Sequence, residues 1–491
     1  MNKTFLEKLR FHAKNTPSKI AMSFYLFGDL QTITYDQLVA DVQKSLQSSS
    51  LGQPGELIFV VSSLTYKSIV AYLACLFNQS VPAFLPPLTQ RQDANLFEIE
   101  MQALMARFSP NMLITTDSER RIHDQKNLRL MRHGGFMQFS SGTTSLKKGV
   151  LITESRLIAQ LELLGSSLSI TEEDKIASWL PLYHDMGLIT SLFLPLYFGC
   201  SVAYLDSVEW SFRPDSILNV IEKERSTLSW MPDFAFRHIV NHHKKTGGEI
   251  RNLSSIRYII NCSEPCRKAT FVDFFNIFRA HSLKEECLQA CYAMAETVFA
   301  VTQSQFMGGF EIIESIDGLI SSGTSLSGFD IKIVSKAADE FGEVHIKSNL
   351  LFDGYFNQDI EVISRDGWYN AGDLGKIQND NLFIVGRTDD ILIVNGKKII
   401  AHQIEDYIGL QTGFKPGRVF CTLNEDNLAL IIYFEGEYER DIDKASIQRW
   451  VASSSGVSID RLINLPYGTI IKSSSGKIAR KKTLNKLSDF K

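Results

Sequence analysis

Short apolar runs with a preference for β structure alternate with helix-length segments up to about residue 380, and this alternation restricts the possible folds more than any other feature. The runs are Leu57–Val61, Met112–Thr115, Phe136–Phe139, Gly149–Ile152, Ser201–Leu205, Thr227–Trp230 and Ile256–Asn261, and the helix-length segments include Tyr66–Phe77, Glu154–Leu164 and Phe271–Ala280. Fully apolar strands that alternate with helices are typical of parallel sheets covered on both faces. The pattern predicts an α/β fold whose ligands bind at the carboxyl ends of strands.

The pattern of the sequence changes after residue 386. Residues 387–491 hold short amphipathic elements, such as Ile404–Leu410 and Leu428–Phe434, and then a basic end. The segment 386–390, Gly-Arg-Thr-Asp-Asp, lies between two apolar runs and is interpreted as a junction. A chain of 491 residues is longer than one hydrophobic core usually supports. We therefore predict a large N-terminal domain of packed sheets and helices over residues 1–386 and a small α+β C-terminal domain over residues 387–491.

The charge and cysteine content exclude some classes of protein. Lysine plus arginine number 51 against 55 acidic residues, a net charge of -4, which argues against a nucleic-acid-binding protein because phosphate contacts need a basic face. Seven cysteines are too few for a disulfide framework, and their odd number leaves at least one thiol free. The N-terminal residues 1–22 contain no hydrophobic signal core. These features predict a cytoplasmic protein.

One uncharged stretch has the length of a membrane span. Met186–Leu205 contains twenty residues without a formal charge. Pro195 and Gly199 interrupt this stretch, and hydroxyl residues make it less apolar. We interpret it as a buried helix that leads into a buried strand, and we expect no membrane span.

The most informative segment for chemistry is the hydroxyl-rich stretch at residues 136–150. An apolar run enters a loop of hydroxyl residues around one glycine, and a Lys-Gly pair leads into a second apolar run. Such a loop offers a triphosphate backbone N–H groups, hydroxyl donors and a positive charge, although a plain polar turn has the same composition. The chain contains no Walker A motif. The candidate phosphate-binding residues are Ser140, Ser141, Gly142, Thr143, Thr144 and Lys148.

Further segments with a possible nucleotide role follow this loop in a recognisable order. They are Leu180–Leu188, Asn261–Pro265, Cys291–Thr297, Tyr369–Gly375, Gly386–Asp390 with its continuation to Asn395-Gly396, and Ser473–Ile478. Together with the loop, these segments resemble the motifs of the ANL superfamily of adenylate-forming enzymes, which includes acyl-CoA synthetases, peptide-synthetase adenylation domains and luciferases. The resemblance runs from about residue 136 to residue 480, and Asp36–Pro87 is similar to the N-terminal subdomain of the family.

Within the superfamily, three segments are similar to the fatty acyl-AMP ligases: Tyr183–Leu188, Met231–Phe236 and Val81–Pro87. Enzymes of that branch activate a fatty acid as its adenylate and pass it to the phosphopantetheine thiol of a carrier protein instead of coenzyme A. The branch usually carries an insertion after the adenine motif, but here only 24 residues lie between Glu296 and Ser321. The resemblance therefore implies ATP as cosubstrate, a carboxylic acid substrate and a carrier protein, with coenzyme A as the alternative acceptor.

The sequence also departs from the family pattern. Ser145 stands where glycine is usual in the phosphate loop, Lys147 stands where proline is usual, and Cys262 replaces a common glycine of the adenine-side loop. Because serine restricts the backbone more than glycine, these changes could reduce activity. Two alternatives stay open: an enzyme that adenylates amino acids or aryl acids, and a catalytically inactive nucleotide-binding regulator.

The resemblance implies a catalytic role for Lys477. A carboxylate that attacks the α-phosphate brings two anions together, and a cation that touches both lowers the barrier. Without the resemblance, Lys477 would read as part of a solvated basic tail with Lys481, Lys482 and Lys486. The family's behaviour also implies rotation of the C-terminal domain about Asp389, which would exchange Lys477 for the 395–396 loop.

The same resemblance implies the other roles. Glu296 would hold Mg²⁺, Asp373 would accept hydrogen bonds from ribose, Tyr292 would stack on adenine, and Arg387 would contact ribose or phosphate. His184 would position substrate, since a carboxylic acid is already ionised near neutral pH and adenylation needs no base. The remaining nucleotide candidates are Ser263, Glu264, Pro265, Met294 and Ala295. Met186, Gly187, Met231 and Phe234 are candidates for the acyl pocket, with core packing as an equal alternative.

We considered two other kinds of site, a zinc site and a serine esterase active site, and the sequence favours neither. Cys262-x₃-Cys266 and Cys287-x₃-Cys291 could form a zinc site, but the spacing is unusual and both pairs overlap the nucleotide motifs. The chain has no G-x-S-x-G motif, so a serine esterase of the α/β-hydrolase type has little support.

Overall fold

The structure of the protein is a computed structural model, and it describes most of the chain. The described residues are 3–47, 51–62, 64–88, 94–115, 118–122, 134–140, 148–249, 251–305, 309, 312–313, 318–335, 341–357, 362–394, 397–412, 414, 417–424, 426–436, 444–472 and 478–488.

The described helices are distributed along the whole chain. They are α1 (Phe5–Asn15), α2 (Tyr35–Leu46), α3 (Tyr66–Phe77), α4 (Ala94–Phe108), α5 (Glu154–Ser167), α6 (Asp185–Gly187), α7 (Leu194–Phe198), α8 (Ser207–Phe212), α9 (Ser216–Glu224), α10 (Asp233–Thr246), α11 (Lys268–Phe278), α12 (Ala401–Thr412), α13 (Lys444–Ser455) and α14 (Arg480–Ser488).

The strands of the first half are β1 (Ile20–Leu26), β2 (Asp29–Thr34), β3 (Leu57–Val61), β4 (Val81–Leu85), β5 (Met112–Ile114), β6 (Glu119–Arg121), β7 (Gly135–Phe139), β8 (Gly149–Thr153), β9 (Lys175–Ser178), β10 (Ser201–Leu205), β11 (Leu228–Met231) and β12 (Tyr258–Cys262). The strands that follow are β13 (Leu288–Ala293), β14 (Ala300–Gln303), β15 (Ile312–Ile313), β16 (Leu319–Ile320), β17 (Thr324–Ser325), β18 (Asp330–Val334), β19 (Gly342–Lys347), β20 (Gly354–Tyr355), β21 (Tyr369–Gln378), β22 (Asn381–Arg387), β23 (Ile391–Val394), β24 (Lys397–Ile400), β25 (Val419–Leu423), β26 (Leu430–Glu435) and β27 (Ile459–Leu465).

The largest sheet has nine described strands in the order β17-β14-β13-β12-β11-β9-β10-β1-β2. The strands from β1 through β10, β9, β11 and β12 to β13 pair in parallel, whereas β2, β14 and β17 pair antiparallel at the two edges. A second sheet, β4-β3-β5-β6, is also parallel across its three strands β4, β3 and β5. The predicted α/β fold with parallel sheets is confirmed.

One part of the parallel-sheet prediction is wrong. The runs that begin at Phe136 and Gly149 form β7 and β8, which pair antiparallel as a hairpin and are joined by β20 in a separate sheet. The reason is length, because parallel neighbours need a crossover of about a dozen residues or more. Only residues 140–148 separate the two strands, which leaves no room for a helix.

The uncharged stretch 186–205 lies inside the protein, as predicted. A buried helical segment runs from α6 through a π-helical turn, Leu188–Phe193, into α7, and β10 follows as a fully buried strand. Gly199 ends the helix with a positive φ of 77°, the left-handed conformation that glycine adopts at least cost. Among the described residues, no helix combines the length and apolar character that a membrane crossing requires.

The described residues form five hydrophobic clusters, and the two with the most members are separate along the chain. The larger cluster contains buried residues from Phe5 to Ile384, and a second cluster contains residues from Val394 to Val457 beneath the sheet β25-β26-β27. The two parts are in contact through the ion pairs Arg267–Asp406 at 3.4 Å and Lys482–Glu100 at 2.8 Å. They are also in apolar contact, because Ile391 and Ile400 pack against the cluster that contains Phe383 and Val385. The division at residues 386 and 387 is compatible with these clusters and stays a prediction.

A buried ion cluster ties the junction to the C-terminal part. Arg480, at the start of α14, lies 2.7 Å from Asp390 Oδ1 and 2.7 Å from Glu405 Oε2, and it donates to the carbonyl of Cys421 at 3.1 Å. Glu405 in turn accepts from the backbone N–H of Cys421 at 2.7 Å. Burial raises the pKa of Glu405 to about 7, against the opposing effect of Arg480. Arg480 therefore fixes the segment just after the predicted hinge to the smaller core.

His402 makes the stability of this junction depend on pH. Its ring lies against Gly386, where a Cβ would come within 2.5 Å of Cε1, and burial lowers the pKa of the ring. Because burial lowers the pKa of the folded ring below that of the unfolded ring, which titrates near 6.5, this contribution to stability is complete above pH 6.5 and is lost as the pH falls toward the pKa of the folded ring. The unfolding free energy of the wild type exceeds that of His402→Gln by an amount that should fall by up to about 1.4 kcal/mol per pH unit below pH 6.5.

Urea unfolding at pH 7.0 and pH 5.5 checks this expectation. The difference in unfolding free energy between the two pH values should be smaller in His402→Gln than in wild type. An equal pH dependence in wild type and His402→Gln would show that the neutral buried ring makes no contribution.

Candidate active site

A cleft of about 1600 Å³ lies at the carboxyl ends of the central strands. The segments after β11, β12 and β13 supply one wall, the ends of the β7–β8 hairpin and the β21–β22 pair supply others, and the C-terminal part closes it. The lining residues singled out from the sequence are Ser140, Lys148, Phe234, Ser263, Glu264, Pro265, Tyr292, Met294, Ala295, Glu296, Asp373, Arg387 and Asp389. The position of the cleft agrees with the expected site for ligands on parallel sheets.

Three of these residues form a bonded cluster. The hydroxyl of Tyr292 donates to Asp373 Oδ2 at 2.5 Å, and Arg387 Nε lies 3.3 Å from Asp373 Oδ1. The carboxylate of Asp373 raises the pKa of Arg387, and burial raises the pKa of Tyr292. Gly372 permits this approach because it adopts a φ of 68° beside Arg387. The cluster presents an oriented carboxylate and a guanidinium, a pair suited to a diol next to a phosphate.

Glu296 lies in a short turn just after β13. Its carboxylate accepts a hydrogen bond from the hydroxyl of Tyr355 at 2.8 Å, and the hydroxyl of Tyr369 lies 3.1 Å from that of Tyr355. The side chain is only 6% exposed, and burial raises its pKa. A hard carboxylate oxygen in a cleft, completed by substrate oxygens, suits Mg²⁺. The residues present fit the predicted metal role.

The predicted phosphate loop is described only at its two ends. The backbone N–H of Ser140 donates to the carbonyl of Lys148 at 3.0 Å, which closes the β7–β8 hairpin at the edge of the cleft. Lys148 Nζ lies 4.7 Å from the centre of the Tyr355 ring. The loop candidates between these ends lie outside the described residues: Ser141, Gly142, Thr143 and Thr144, with the departures Ser145 and Lys147.

The adenine-side candidates follow β12 and β13 directly. Glu264 Oε2 accepts a hydrogen bond from the backbone N–H of Phe234 at 2.9 Å, so this carboxylate contacts the first turn of α10. Ser263 has a φ of 71°, an uncommon value for a non-glycine residue, at the point where the chain leaves β12. Ser263, Pro265, Met294 and Ala295 line the cleft, and their contacts with adenine stay predictions.

The acyl-pocket candidates occupy two environments. Phe234 is half-buried on the cleft wall beside Trp210, whose ring stacks on Trp179 at 3.5 Å and 2°. Met186 and Met231 are 5% and 0% exposed, belong to the larger core, and are not among the residues that line the cleft. Gly187 leaves no space for a side chain, since a Cβ would lie 2.3 Å from the carbonyl oxygen of Pro181.

His184 precedes α6 and is half-buried, with its ring 4.8 Å from that of Tyr183. It is not among the residues that line the cleft, although its neighbour Asp185 is. The proposed positioning role of His184 stays a prediction.

The position of the segment that carries Lys477 is defined by the described residues on either side of it. Lys472 and Ile478 form an antiparallel bridge, and both line the cleft. Lys477 lies between them, outside the described residues, as do Asn395 and Gly396. Asp389 lies in a short turn, Thr388–Asp390, at the exit of β22. The ends of the segment that carries Lys477 are thus on the wall of the same cleft as Asp373 and Glu296.

The cysteines of the rejected zinc site are all buried thiols. Cys262 and Cys291 are direct neighbours on β12 and β13, and the contact with Cys262 raises the pKa of Cys291. Over the described parts of the chain, no group of three or more His, Cys, Asp and Glu side chains has an arrangement that could hold a metal ion.

Some residues of the site were missed in the sequence. Tyr355 and Gln138 come into contact with the Glu296 turn only through the pairing of distant strands, and Tyr369 contacts Tyr355. No local pattern marks Tyr355, which follows Gly354 in a two-residue strand.

Comparison with known proteins gives one family and several relatives. The family described as AMP-binding enzyme matches residues 131–356. The medium-chain-fatty-acid–acyl-carrier-protein ligase JamA of Moorena producens is 22% identical over 97% of this chain and 94% of its own length. A probable long-chain-fatty-acid–AMP ligase of Mycobacterium tuberculosis is 26% identical over 70% of this chain and 68% of its own.

Solved structures show the same fold. A structure from a study of fatty acyl-adenylate ligases of E. coli and L. pneumophila superposes with a TM-score of 0.86, at 23% identity over 100% of this chain and 99% of that chain. A fatty acyl-adenylate ligase of L. pneumophila in complex with acyl adenylate and pyrophosphate gives a TM-score of 0.70, at 22% identity over 99% and 96% of the two chains.

Proposed function

Residues 131–356 match the AMP-binding enzyme family, and we propose that the chain is an adenylate-forming enzyme of the ANL superfamily that activates a fatty acid as acyl-AMP and passes the acyl group to a carrier protein. The observation that carries the proposal is the Tyr292–Asp373–Arg387 cluster, which lies in one cleft with Glu296 and the ends of the phosphate loop. The named relatives that act on fatty acids support the choice of acid.

The first half-reaction joins two anions. A carboxylate oxygen of the acid attacks the α-phosphorus of ATP, a bond forms between them, and the bond to the β-phosphate oxygen breaks to release pyrophosphate. No base is needed because the acid is already ionised. Asp373 and Arg387 hold the ribose side of the nucleotide, and Lys477 neutralises charge where the anions meet.

Glu296 would hold Mg²⁺, which when bound neutralises charge on the phosphate oxygens. Tyr355 fixes the orientation of the Glu296 carboxylate, and Lys148 supplies a positive charge at the end of the phosphate loop. These residues bind and orient the nucleotide before any bond changes.

The second half-reaction transfers the acyl group to a thiol. The mixed anhydride is an activated acyl donor, so attack by the phosphopantetheine thiol of a carrier protein releases AMP and forms a thioester. The name of JamA, a ligase for an acyl carrier protein, supports this acceptor over coenzyme A. We propose that rotation about Asp389 carries the C-terminal domain between the two steps.

Amino-acid-adenylating members of the superfamily usually bind the substrate amine with an aspartate, which the resemblance places near Asp233, in α10. Asp233 is 2% exposed and is bonded to Asn261 at 3.0 Å, Thr270 at 3.2 Å and Arg237 at 3.3 Å. Asn261 occupies Oδ1, and Thr270 and Arg237 occupy Oδ2, so a substrate ammonium would have to compete with these partners for the carboxylate. The structure therefore favours an acid without an amine.

The location follows from redox chemistry. All seven cysteines are buried and free, which suits a reducing compartment, and we propose the cytoplasm.

Pyrophosphate exchange tests the activity. The full-length protein is incubated with ATP, labelled pyrophosphate and a panel of fatty, aryl and amino acids, and exchange is expected with fatty acids. Carrier protein and coenzyme A are then offered separately, and thioester formation is expected with the carrier protein. Consumption of coenzyme A would show that coenzyme A is the acceptor and that the protein is an acyl-CoA ligase. If no acid supports exchange while ATP still binds, the protein is a catalytically inactive nucleotide-binding regulator and not an adenylate-forming enzyme.

Asp373→Asn separates the nucleotide role from a structural role. The amide keeps the shape of the side chain but loses the charge that pairs with Arg387, so the KM for ATP should rise by about tenfold or more. The KM for the acid should change far less. Asp366→Asn, at an exposed side chain in the preceding turn, serves as the control. Equal KM values for ATP in wild type and Asp373→Asn would remove Asp373 from the nucleotide site.

A further inference from the structure

Tyr355 contacts two charged residues of the cleft, and no role was predicted for it. Its hydroxyl donates to Glu296 Oε1 at 2.8 Å, and Lys148 Nζ lies 4.7 Å from the centre of its ring. The side chain is 6% exposed. A hydrogen bond to a carboxylate and a cation above an aromatic face are both strengthened where water is excluded. The side chain of Tyr355 thus contacts both Glu296 and Lys148, the acidic and the basic residue that are predicted to act at the triphosphate of ATP.

The backbone on both sides of Tyr355 is fixed. β20 pairs with β8 so that Tyr355 is opposite Val150, and the N–H of Phe352 donates to the carbonyl of Glu296 at 2.8 Å. Tyr355 is therefore connected to the hairpin that bears the phosphate loop and also to the turn that bears Glu296. Movement of either element would be transmitted to the other through these bonds.

The turn that carries Glu296 is strained and held in place. Val298 has a φ of 67°, which is unfavourable for a β-branched residue. Gln138, on β7, donates to the carbonyls of Ala295 at 3.0 Å and Val298 at 3.2 Å. Such strain persists only where the surroundings fix the conformation. Gln138 fixes the backbone of the turn, and the carboxylate at its end is oriented by Tyr355.

The geometry points to Tyr355 as a positioning residue that orients Glu296 and Lys148 toward the metal–nucleotide complex. The inference rests on the proposed function, in which Glu296 holds Mg²⁺ and Lys148 meets a phosphate. A carboxylate that is already oriented loses less side-chain freedom when it binds a cation. The hydroxyl should therefore contribute to metal affinity, and the ring should contribute to nucleotide affinity through Lys148.

Two substitutions separate the hydroxyl from the ring. Tyr355→Phe removes only the hydroxyl, whereas Tyr355→Leu removes both. Mn²⁺ is used as the probe, and its binding to the full-length protein with a non-hydrolysable ATP analogue is followed by electron paramagnetic resonance. Binding of the analogue without metal is measured by calorimetry in the presence of EDTA.

We expect Tyr355→Phe to weaken Mn²⁺ binding by about tenfold and to leave metal-free binding of the analogue within about twofold of wild type. Tyr355→Leu should also weaken metal-free binding, by about threefold or more, because Lys148 loses the ring beneath it. Tyr197→Phe is the matched control, since it removes a similar hydrogen bond, 2.7 Å to Glu162, at a residue that does not line the cleft. It should leave both affinities unchanged.

Three results would overturn the inference. The first is wild-type Mn²⁺ affinity in Tyr355→Phe, and the second is an equal loss of metal-free binding in Tyr355→Phe and Tyr355→Leu. The third is wild-type Mn²⁺ affinity in Glu296→Gln. This result would show that the carboxylate which Tyr355 orients does not bind the metal ion. Because these readouts require no turnover, they are independent of the exchange assay, whose failure would count against the proposed activity alone.

Discussion

Lys477→Ala is expected to reduce fatty-acid-dependent pyrophosphate exchange by about two to three orders of magnitude. The attacking carboxylate and the α-phosphate are both anionic, so the barrier depends on a cation that contacts them as they meet. Lys472 and Ile478, which flank the segment with this lysine, are bridged to each other and line the cleft that holds Asp373. Exchange is measured with the fatty acid that gives the highest wild-type rate.

The second half-reaction provides the contrast for this variant. When acyl-AMP is supplied, Lys477→Ala should still form the thioester of the carrier protein at close to the wild-type rate, since no ATP is consumed. Lys481→Ala, at an exposed lysine of α14, should behave as wild type in both assays. Loss of both half-reactions to the same degree would contradict a lysine that serves adenylation alone.

Arg480→Ala is expected to destabilise the C-terminal part by about 3–5 kcal/mol, because it leaves Asp390 and Glu405 without their buried cation. Such a loss corresponds to a decrease of roughly two to four orders of magnitude in the hydrogen-exchange protection of local structure. Amide hydrogen exchange followed by mass spectrometry can compare α12 and β25, which flank the cluster, with β12 in the larger core.

Two further variants make this measurement specific. Lys482→Ala breaks the exposed ion pair with Glu100 and should change protection little, since exposed pairs contribute about 1 kcal/mol or less. Adding Glu405→Ala to Arg480→Ala should recover part of the loss, because the second change removes the carboxylate left behind. Unchanged protection of α12 in Arg480→Ala would mean that the cluster does not hold this part together.

Local elements were predictable where periodicity and composition agree. Leu57–Val61, Ser201–Leu205 and Tyr66–Phe77 begin and end at the predicted residues. Each segment has a single pattern, an apolar strand-like run or a helix-like run, between turn residues. The local sequence is therefore enough to define its type and its ends. The placement of Asp373, Glu296 and Arg387 in one cleft was also expected from the order of the motifs.

The residues that organise the site were not predictable, because their partners are distant in the chain. Tyr355 is 59 residues from Glu296, Gln138 is 157 from Ala295, and Arg480 is 90 from Asp390. A tyrosine or glutamine in a short strand carries no local sign of such a partner. The direction of β7 and β8 was mispredicted for a related reason, since apolar content does not distinguish a hairpin strand from a parallel one.

If the acid binds beside Phe234, as proposed, the stacked indoles of Trp179 and Trp210 would report its binding optically. Two parallel rings 3.5 Å apart couple their electronic transitions, which produces a signal in circular dichroism that depends on the angle between them. Trp210 lines the cleft beside Phe234, so an alkyl chain that displaces either ring would alter this signal. Chain-length preference could thus be titrated on unlabelled protein, without nucleotide or turnover.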